Sequence, residues 1–192
     1  MEQLREDRRY TYADYCTWDD GERWEIIDGV PYKMFSDPVM MSPAPKARHQ
    51  SIILEIAGQL RNFLKGKPCK AFIAPFDVRL DAKDDDDTVV QPDISVVCDR
   101  SKIDDKGCNG APDMVVEVLS PSSARHDKLV KFNAYQRAGV REYWIVDPDS
   151  KTVAVYLLEG GRFIAAAYGD TDTVPVSVLA GCEINLGEVF ED

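Results

Sequence analysis

Residues 114–131 read MVVEVLSPSSARHDKLVK, and the fold turns on how this stretch is parsed. Five of its first six residues are apolar and mostly β-branched, the composition of a strand covered on both faces. Glu117 interrupts the run. A carboxylate in such a strand must be neutralised, paired or metal-bound, and nothing within two residues of it carries a positive charge. From about Ser123 to Ala138 the pattern becomes helical, with Gly139 where a helix C-terminus commonly places glycine. EYWIVD (142–147) then reads as a further strand.

Outward from this stretch, Thr11 is an N-cap for a short helix through Trp18. WEIIDGVPYKM (24–34) reads as a hairpin turning at Asp28-Gly29, with Pro31 placing its second arm at an edge. After the proline-rich connection SDPVMMSPAPK (36–46), Ile53, Ile56, Ala57, Leu60, Phe63 and Leu64 recur at helical spacing over 47–65. KAFIAPFDVRL (70–80) and Asp93 to Cys98 read as strands. So do TVAVYLL (152–158) and RFIAAAY (162–168), joined through Pro148-Asp149-Ser150 and Gly160-Gly161. Helices and strands mix along the chain, which predicts an α/β domain with a mixed central β-sheet flanked by helices.

At 192 residues and 44% hydrophobic the chain suits one domain spanning 1–192. No run approaches the roughly 20 apolar residues of a membrane span. The charged start MEQLREDRRY lacks the apolar core of a signal peptide, so the expectation is a cytoplasmic protein without a membrane partner. Cys16, Cys69, Cys98, Cys108 and Cys182 are odd in number and scattered, which favours reduced thiols over a disulfide frame or a zinc site. The balance of 23 basic and 34 acidic residues gives −11, the wrong sign for holding nucleic acid by charge alone. The distribution is uneven. DAKDDDD (81–87) reads as a solvated acidic loop, whereas 121–141 holds Arg125, Lys128, Lys131, Arg137 and Arg141 against Asp127 alone.

Asp113 is the nearest tempting partner for Glu117. Four residues along a strand put it on the same face but about 13 Å away, too far for one ion to bridge. Asp93 opens a different strand, and neighbouring strands lie about 5 Å apart, so Asp93 and Glu117 can share a cation if those strands pair in register. Two hard oxygen ligands with room for water suit Mg²⁺ or Mn²⁺ better than zinc. The missing positive charge can come from the following helix. At 100° per residue, Asp127, Lys131, Ala134, Tyr135 and Ala138 fall within an arc of about 100°, the face suited to pack on the sheet. Lys128 lies nearer its edge, and Leu129 falls well off it.

A family resemblance rests on these residues. The order PD then E-x-L, in place of E-x-K, resembles the PD-(D/E)XK nuclease superfamily with its lysine moved to the next helix. WEIIDG, ARHQ, QPDI, VVEVLSPSS, DKLVKFNAYQRAGVREYWIVDP and GCEINL together look like the Uma-type branch, restriction-endonuclease-like proteins, over nearly the whole chain. The resemblance implies a restriction-endonuclease-like fold, divalent-metal-dependent cleavage of nucleic acid, DNA in the first place, and a homodimer. Strands as apolar as EYWIVD and TVAVYLL also call for more cover than one chain supplies. Carried over by position, Asp93 matches the PD aspartate, Glu117 the (D/E) residue and Lys131 the displaced lysine, with Lys128 the other candidate. Leu119 stands where the pattern has lysine. Glu25 and His49 match further motifs and either completes the metal shell or serves in proton transfer.

The chemistry needs these types. A cation on Asp93 and Glu117 polarises a phosphate and acidifies water, while a lysine orients water and offsets transition-state charge. Each residue also has a plainer reading. Glu117 and Lys131 can be a buried ion pair, Asp93 a strand-entry residue, His49 a helix-start residue and Glu25 a half-exposed hairpin residue. His126 can touch a phosphate or sit solvated at the helix start, and Tyr143-Trp144 belongs to the core rather than to a base-stacking surface. Two functions follow: a Mg²⁺- or Mn²⁺-dependent endonuclease, or a catalytically silent interaction module on the same fold.

Overall fold

The computed structural model describes residues 8–34, 47–81, 85–120 and 123–191. Helix α1 (Tyr12–Tyr15) is a single turn, shorter than expected, closed by a reciprocal cap between Thr11 and Asp14. Strands β1 (Trp24–Ile27) and β2 (Val30–Lys33) form the expected hairpin. Its two central residues, Asp28 and Gly29, have φ of 52° and 73°, a turn whose twist matches that of the strands. β2, with Pro31, is at the sheet edge. A Cβ on Gly29 would come within 2.8 Å of the Arg9 side chain, and left-handed backbone costs an L-residue about 1–2 kcal/mol. Gly29→Ala is therefore expected to lose about that much in urea unfolding. An unchanged midpoint would contradict this turn.

Helix α2 (Ala47–Leu64) buries Ile52, Ile53, Ile56, Leu60 and Leu64 along one stripe. KAFIAPFDVRL is two strands rather than one: β3 (Lys70–Ile73) and β4 (Val78–Arg79) fall in different sheets, divided around Pro75, which has no N–H to continue a ladder. There follow β5 (Val89–Val90), β6 (Ile94–Val97), β7 (Ile103–Asp104), β8 (Gly107–Asn109) and β9 (Met114–Val118). The second helix opens with a π turn, His126–Lys131, in which the Phe132 amide bonds the Asp127 carbonyl, and continues as α3 (Phe132–Ala138). Gly139 closes it with φ 85°. The chain ends through β10 (Glu142–Asp147), β11 (Thr152–Glu159), β12 (Arg162–Gly169), β13 (Thr173–Pro175), β14 (Glu183–Asn185) and α4 (Leu186–Val189).

The mixed sheet is accompanied by a second large one. One has the order β12-β11-β10-β9-β6-β3, the other β2-β1-β5-β4-β8-β7, and β13 with β14 makes a small pair. In the first, β9 and β10 run parallel and β6 runs antiparallel to β9. Strand alternation splits β9 between two cores. Met114, Val116 and Val118 pack with Ile52, Ile56 and Leu60 of α2, while Val115 and Leu119 pack with Ala134 and Tyr135 of α3 and with Val78 and Val90 of the other sheet. Glu117 shares the second face. Tyr143 and Trp144 are fully buried, as expected of core residues.

Three details differ from the expectations. Cys69 and Cys98 form a disulfide, brought together because β3 and β6 pair with Lys70 beside Val97. Of the acidic run, Asp86 is buried rather than solvated: its carboxylate accepts from the Thr88 amide and its carbonyl from the Tyr12 amide. Asp84 and the connection 36–46 lie outside the described residues. Leu129, off the packing face, is 55% exposed. No helix among the described residues is long and apolar enough to cross a membrane.

Candidate active site

β6 and β9 pair with Ile94 opposite Val116 and Ser95 opposite Val115. Extending that register by one residue sets Asp93 across from Glu117, and both side chains belong to the face that α3 covers. Asp93 Oδ2 accepts from the Val118 amide at 2.8 Å. Asp113 lies at the other end of β9, where its carboxylate takes the Cys98 amide at 2.8 Å and Arg141 at 3.0 Å. It serves the sheet and stands apart from Glu117.

The cation that Glu117 requires is Lys131. Its ammonium is 3.0 Å from Glu117 Oε1, 2.9 Å from Glu25 Oε1 and 3.6 Å from Asp127 Oδ1. Lys131 is buried and Lys128 exposed, so of the two candidates Lys131 reaches the carboxylates. One turn further along α3, the Tyr135 hydroxyl donates to Glu117 Oε1 at 2.7 Å. Glu25 comes from β1 and is buried, not half-exposed as its hairpin position suggested. It accepts the Gln91 amide at 2.8 Å, and His126 Nε2 lies 3.3 Å from its other oxygen. His49, near the start of α2, places Nε2 2.8 Å from the Val118 carbonyl and 3.6 Å from Asp93 Oδ2. Its Nδ1 is buried without a hydrogen-bond partner among the described residues.

Three carboxylates, those of Glu25, Glu117 and Asp127, thus surround one lysine, with Asp93 across the sheet from Glu117, and the titration of the group reflects the imbalance. Burial pushes the Glu117 carboxyl well above the usual carboxylate range, helped by Asp127, Asp93 and Glu25 and opposed by Lys131. Burial raises Asp93 in the same way, against His49 and the Val118 amide. Glu25 goes the other way. Burial would raise it, but Lys131, His126 and the Gln91 amide bring it down to about 2. Lys131, which burial alone would deprotonate, is held well above its ordinary value by Glu117, Glu25 and Asp127.

This donor set fits a hard divalent cation. Both bonds to Glu117 fall on Oε1 and the amide bond to Asp93 on Oδ2, which leaves Glu117 Oε2 and Asp93 Oδ1 with no donor among the described residues. The excess negative charge is what such an ion offsets. No group of three or more His, Cys, Asp or Glu side chains among the described residues is arranged to hold a metal, so Asp93 and Glu117 would hold it largely with water, as Mg²⁺ tolerates.

Several members were not singled out from sequence. Asp127 lay on the correct helical face but read as the lone acid of a basic segment, and Tyr135 read as packing. The Gln91 amide carries no sequence signal. His126 was placed at a phosphate or in solvent, yet it lies beside Glu25 with its ring 4.6 Å from that of Tyr32. The basic segment is largely occupied internally: Arg137 pairs with Asp28 at 2.6 Å, Arg141 with Asp113 at 3.0 Å, and Lys131 is interior. Arg125 and Lys128 remain exposed. Leu119, 8% exposed, fills core volume on the Glu117 face, and the lysine arrives from α3 instead.

Comparison with known proteins is consistent with this architecture. Residues 11–187 match the model of the Uma2 family, described as "Putative restriction endonuclease". An uncharacterised protein of Synechocystis, slr1290, is 27% identical over 146 residues, covering 74% of this chain and 71% of its own. The crystal structure described as a "putative nuclease" from Anabaena variabilis has the same fold. Its TM-score is 0.72 at 21% identity, over 94% of this chain and 97% of that one.

Proposed function

Because the chain belongs to the Uma2 family of restriction-endonuclease-like proteins, we propose that it hydrolyses nucleic-acid phosphodiester bonds, DNA in the first place, with Mg²⁺ or Mn²⁺ held by Asp93 and Glu117. The observation that carries this reading is the pair Asp93 and Glu117, adjacent across β6 and β9 with oxygens that no described group engages, beside an ammonium that Glu117, Glu25 and Asp127 hold. A divalent cation there supplies Lewis-acid polarisation of the phosphate and a more acidic water. Lys131, kept protonated by its carboxylates, offsets charge that develops on the phosphate oxygens. Glu25 and Asp127 fix the ammonium in place, and Tyr135 orients the Glu117 carboxylate. His49, beside Asp93 with Nδ1 unengaged, is placed to carry a proton.

The test is cleavage of mixed single- and double-stranded DNA by purified protein in Mn²⁺ or Mg²⁺. Turnover that stops on chelation and resumes on readdition of the metal is the expected result. Intact substrate in every metal tested would leave the second reading, a silent interaction module, which the internal occupation of most of the basic segment favours.

The protein is further proposed to act in the cytoplasm as one domain over 1–192 and as a homodimer. The apolarity of EYWIVD does not require a partner, since β10 is buried from Glu142 to Val146 within the chain. The edge strand β12 is the better candidate, largely exposed and with Ile164 54% exposed. Sedimentation at micromolar concentration is expected to give twice the chain mass, and a monomer at all concentrations would contradict it.

A further inference from the structure

The geometry points to a second site beside the carboxylate cluster: an aromatic cleft that takes one unpaired nucleobase bearing an exocyclic amine. The inference rests on the nuclease reading above and names the form of substrate that the site engages. The cleft has a volume of about 580 Å³ and is lined by Tyr12, Tyr15, Trp18, Trp24, Asp77 and Lys106, among others, within the roughly 300–1,000 Å³ usual for small-ligand sites. Tyr12 and Tyr15 are stacked at 5.9 Å, Tyr15 and Trp18 lie 5.6 Å apart, and Trp18 and Trp24 are likewise 5.6 Å apart. All four rings are half-buried, and none belongs to either hydrophobic core. Trp18 also meets Tyr10 at 5.6 Å and Lys33 lies 6.0 Å from the Trp24 centroid, so the rings pack on one another and on cations. Their half-exposed remainder around the opening is what can stack on a base.

Charge decides what stacks there. Glu22, at the rim, is paired with Lys33 at 3.0 Å, and Arg79, whose guanidinium lies 4.7 Å from the Tyr12 ring centroid, is paired with Asp104 at 2.6 Å. Asp77 and Lys106 remain and are opposite in sign. Among the described lining residues the two unpaired charges thus offset one another, and a flat, uncharged aromatic group fits best. Asp77 adds specificity. Its Oδ1 accepts from the Tyr15 hydroxyl at 3.1 Å and from Gln91 Nε2 at 2.8 Å, while Oδ2 has no donor among the described residues. A ring stacked in the cleft is asked for an N–H donor. Cytosine, adenine and guanine each carry an exocyclic amine that can donate there. Thymine's one N–H is flanked by two carbonyls, which a carboxylate repels.

Gln91 joins the cleft to the cluster. Its side chain bonds Tyr15 and Asp77, and its own amide bonds Glu25 at 2.8 Å, the carboxylate that holds Lys131. One residue, itself buried, thus links the cleft through the interior to the carboxylate that holds Lys131. Because the base must offer its pairing edge to Asp77 and its faces to the rings, it has to be unpaired, in a single strand or turned out of a duplex.

Two of the chain's three tryptophans, Trp18 and Trp24, line the cleft and the third, Trp144, is fully buried, so intrinsic fluorescence reports on the site. The full chain is titrated in EDTA, where no cleavage occurs, with tetradeoxycytidylate and with tetrathymidylate. Deoxycytidylate is expected to quench and to bind on the order of tenfold more tightly than thymidylate, the discrimination that one base-edge contact supplies. Asp77→Asn keeps the shape and the bonds to Tyr15 and Gln91 and is expected to erase or reverse that ratio. Trp18→Leu is expected to weaken both oligonucleotides on the order of tenfold through lost stacking. Equal affinities for the two in the wild type, no quenching, or a ratio unmoved by Asp77→Asn would overturn the base site. Binding in EDTA with no cleavage in any metal would instead overturn the nuclease reading alone.

Discussion

Lys131→Ala is expected to abolish Mn²⁺-dependent DNA cleavage, with a loss of at least about 10²–10³ in rate, the size of effect seen when one charge-stabilising donor is removed from a transition state. It is also expected to destabilise the protein. The ammonium sits within 3.0 Å of both Glu117 and Glu25, and removing it strands buried carboxylates at a cost of about 3–5 kcal/mol. Part of that cost is relieved as Glu117, already pushed toward its neutral form, takes up a proton. Glu25 is relieved in part as well, since removing Lys131 takes away the strongest influence against its burial, leaving His126 and the Gln91 amide to hold it down. Added Mn²⁺ is expected to restore stability to Lys131→Ala without restoring cleavage, because the ion replaces the charge and not the donor. A variant that cleaves at wild-type rate once stabilised by metal would contradict the role given to Lys131.

Loss of stability in this variant therefore does not by itself separate a catalytic lysine from a buried ion pair. The sequence set the two readings against each other, and the buried ion pair that the structure shows at Lys131 is compatible with both. Only the response to metal and the cleavage assay distinguish them.

The elements that position the site were legible wherever one physical signal dominated. The apolar run around Glu117 gave β9, the helical spacing of 47–65 gave α2, and Asp28-Gly29 gave the hairpin that delivers Glu25. Helical phase brought Lys131 to the sheet and left Leu129 outside, even though the helix opens with a π turn that the sequence did not announce. Distance along a strand was enough to set Asp113 apart from Glu117. What could not be read were contacts between elements distant in the chain. The second sheet is assembled from two- to four-residue strands, too short for a periodic pattern. Its approach to β9 is what buries Glu25 and brings in the Gln91 amide. The Cys69–Cys98 bond likewise follows from the pairing of β3 with β6, which cysteine spacing alone does not reveal.

Glu117→Gln is the complementary variant and isolates the metal. The amide keeps an oxygen to accept from Lys131 and Tyr135 and has nearly the same shape, and Glu25 and Asp127 remain to pair Lys131. The metal-free variant is therefore expected to remain within about 1 kcal/mol of the wild type, the scale of one altered hydrogen bond. Its cleavage is expected to vanish, because a ligand charge is gone and Asp93 is left as the single carboxylate ligand.

The most direct measurement is the melting temperature of chelator-treated wild type and Glu117→Gln across a Mn²⁺ titration, with Mg²⁺ in parallel. A ligand of the native state stabilises by about 1.4 kcal/mol for each tenfold rise in concentration above its dissociation constant. The account predicts that the wild type rises steadily with the logarithm of Mn²⁺ concentration while Glu117→Gln stays flat from a similar starting point. A wild type indifferent to metal, or a variant that rises in step with it, would contradict a metal site at Asp93 and Glu117.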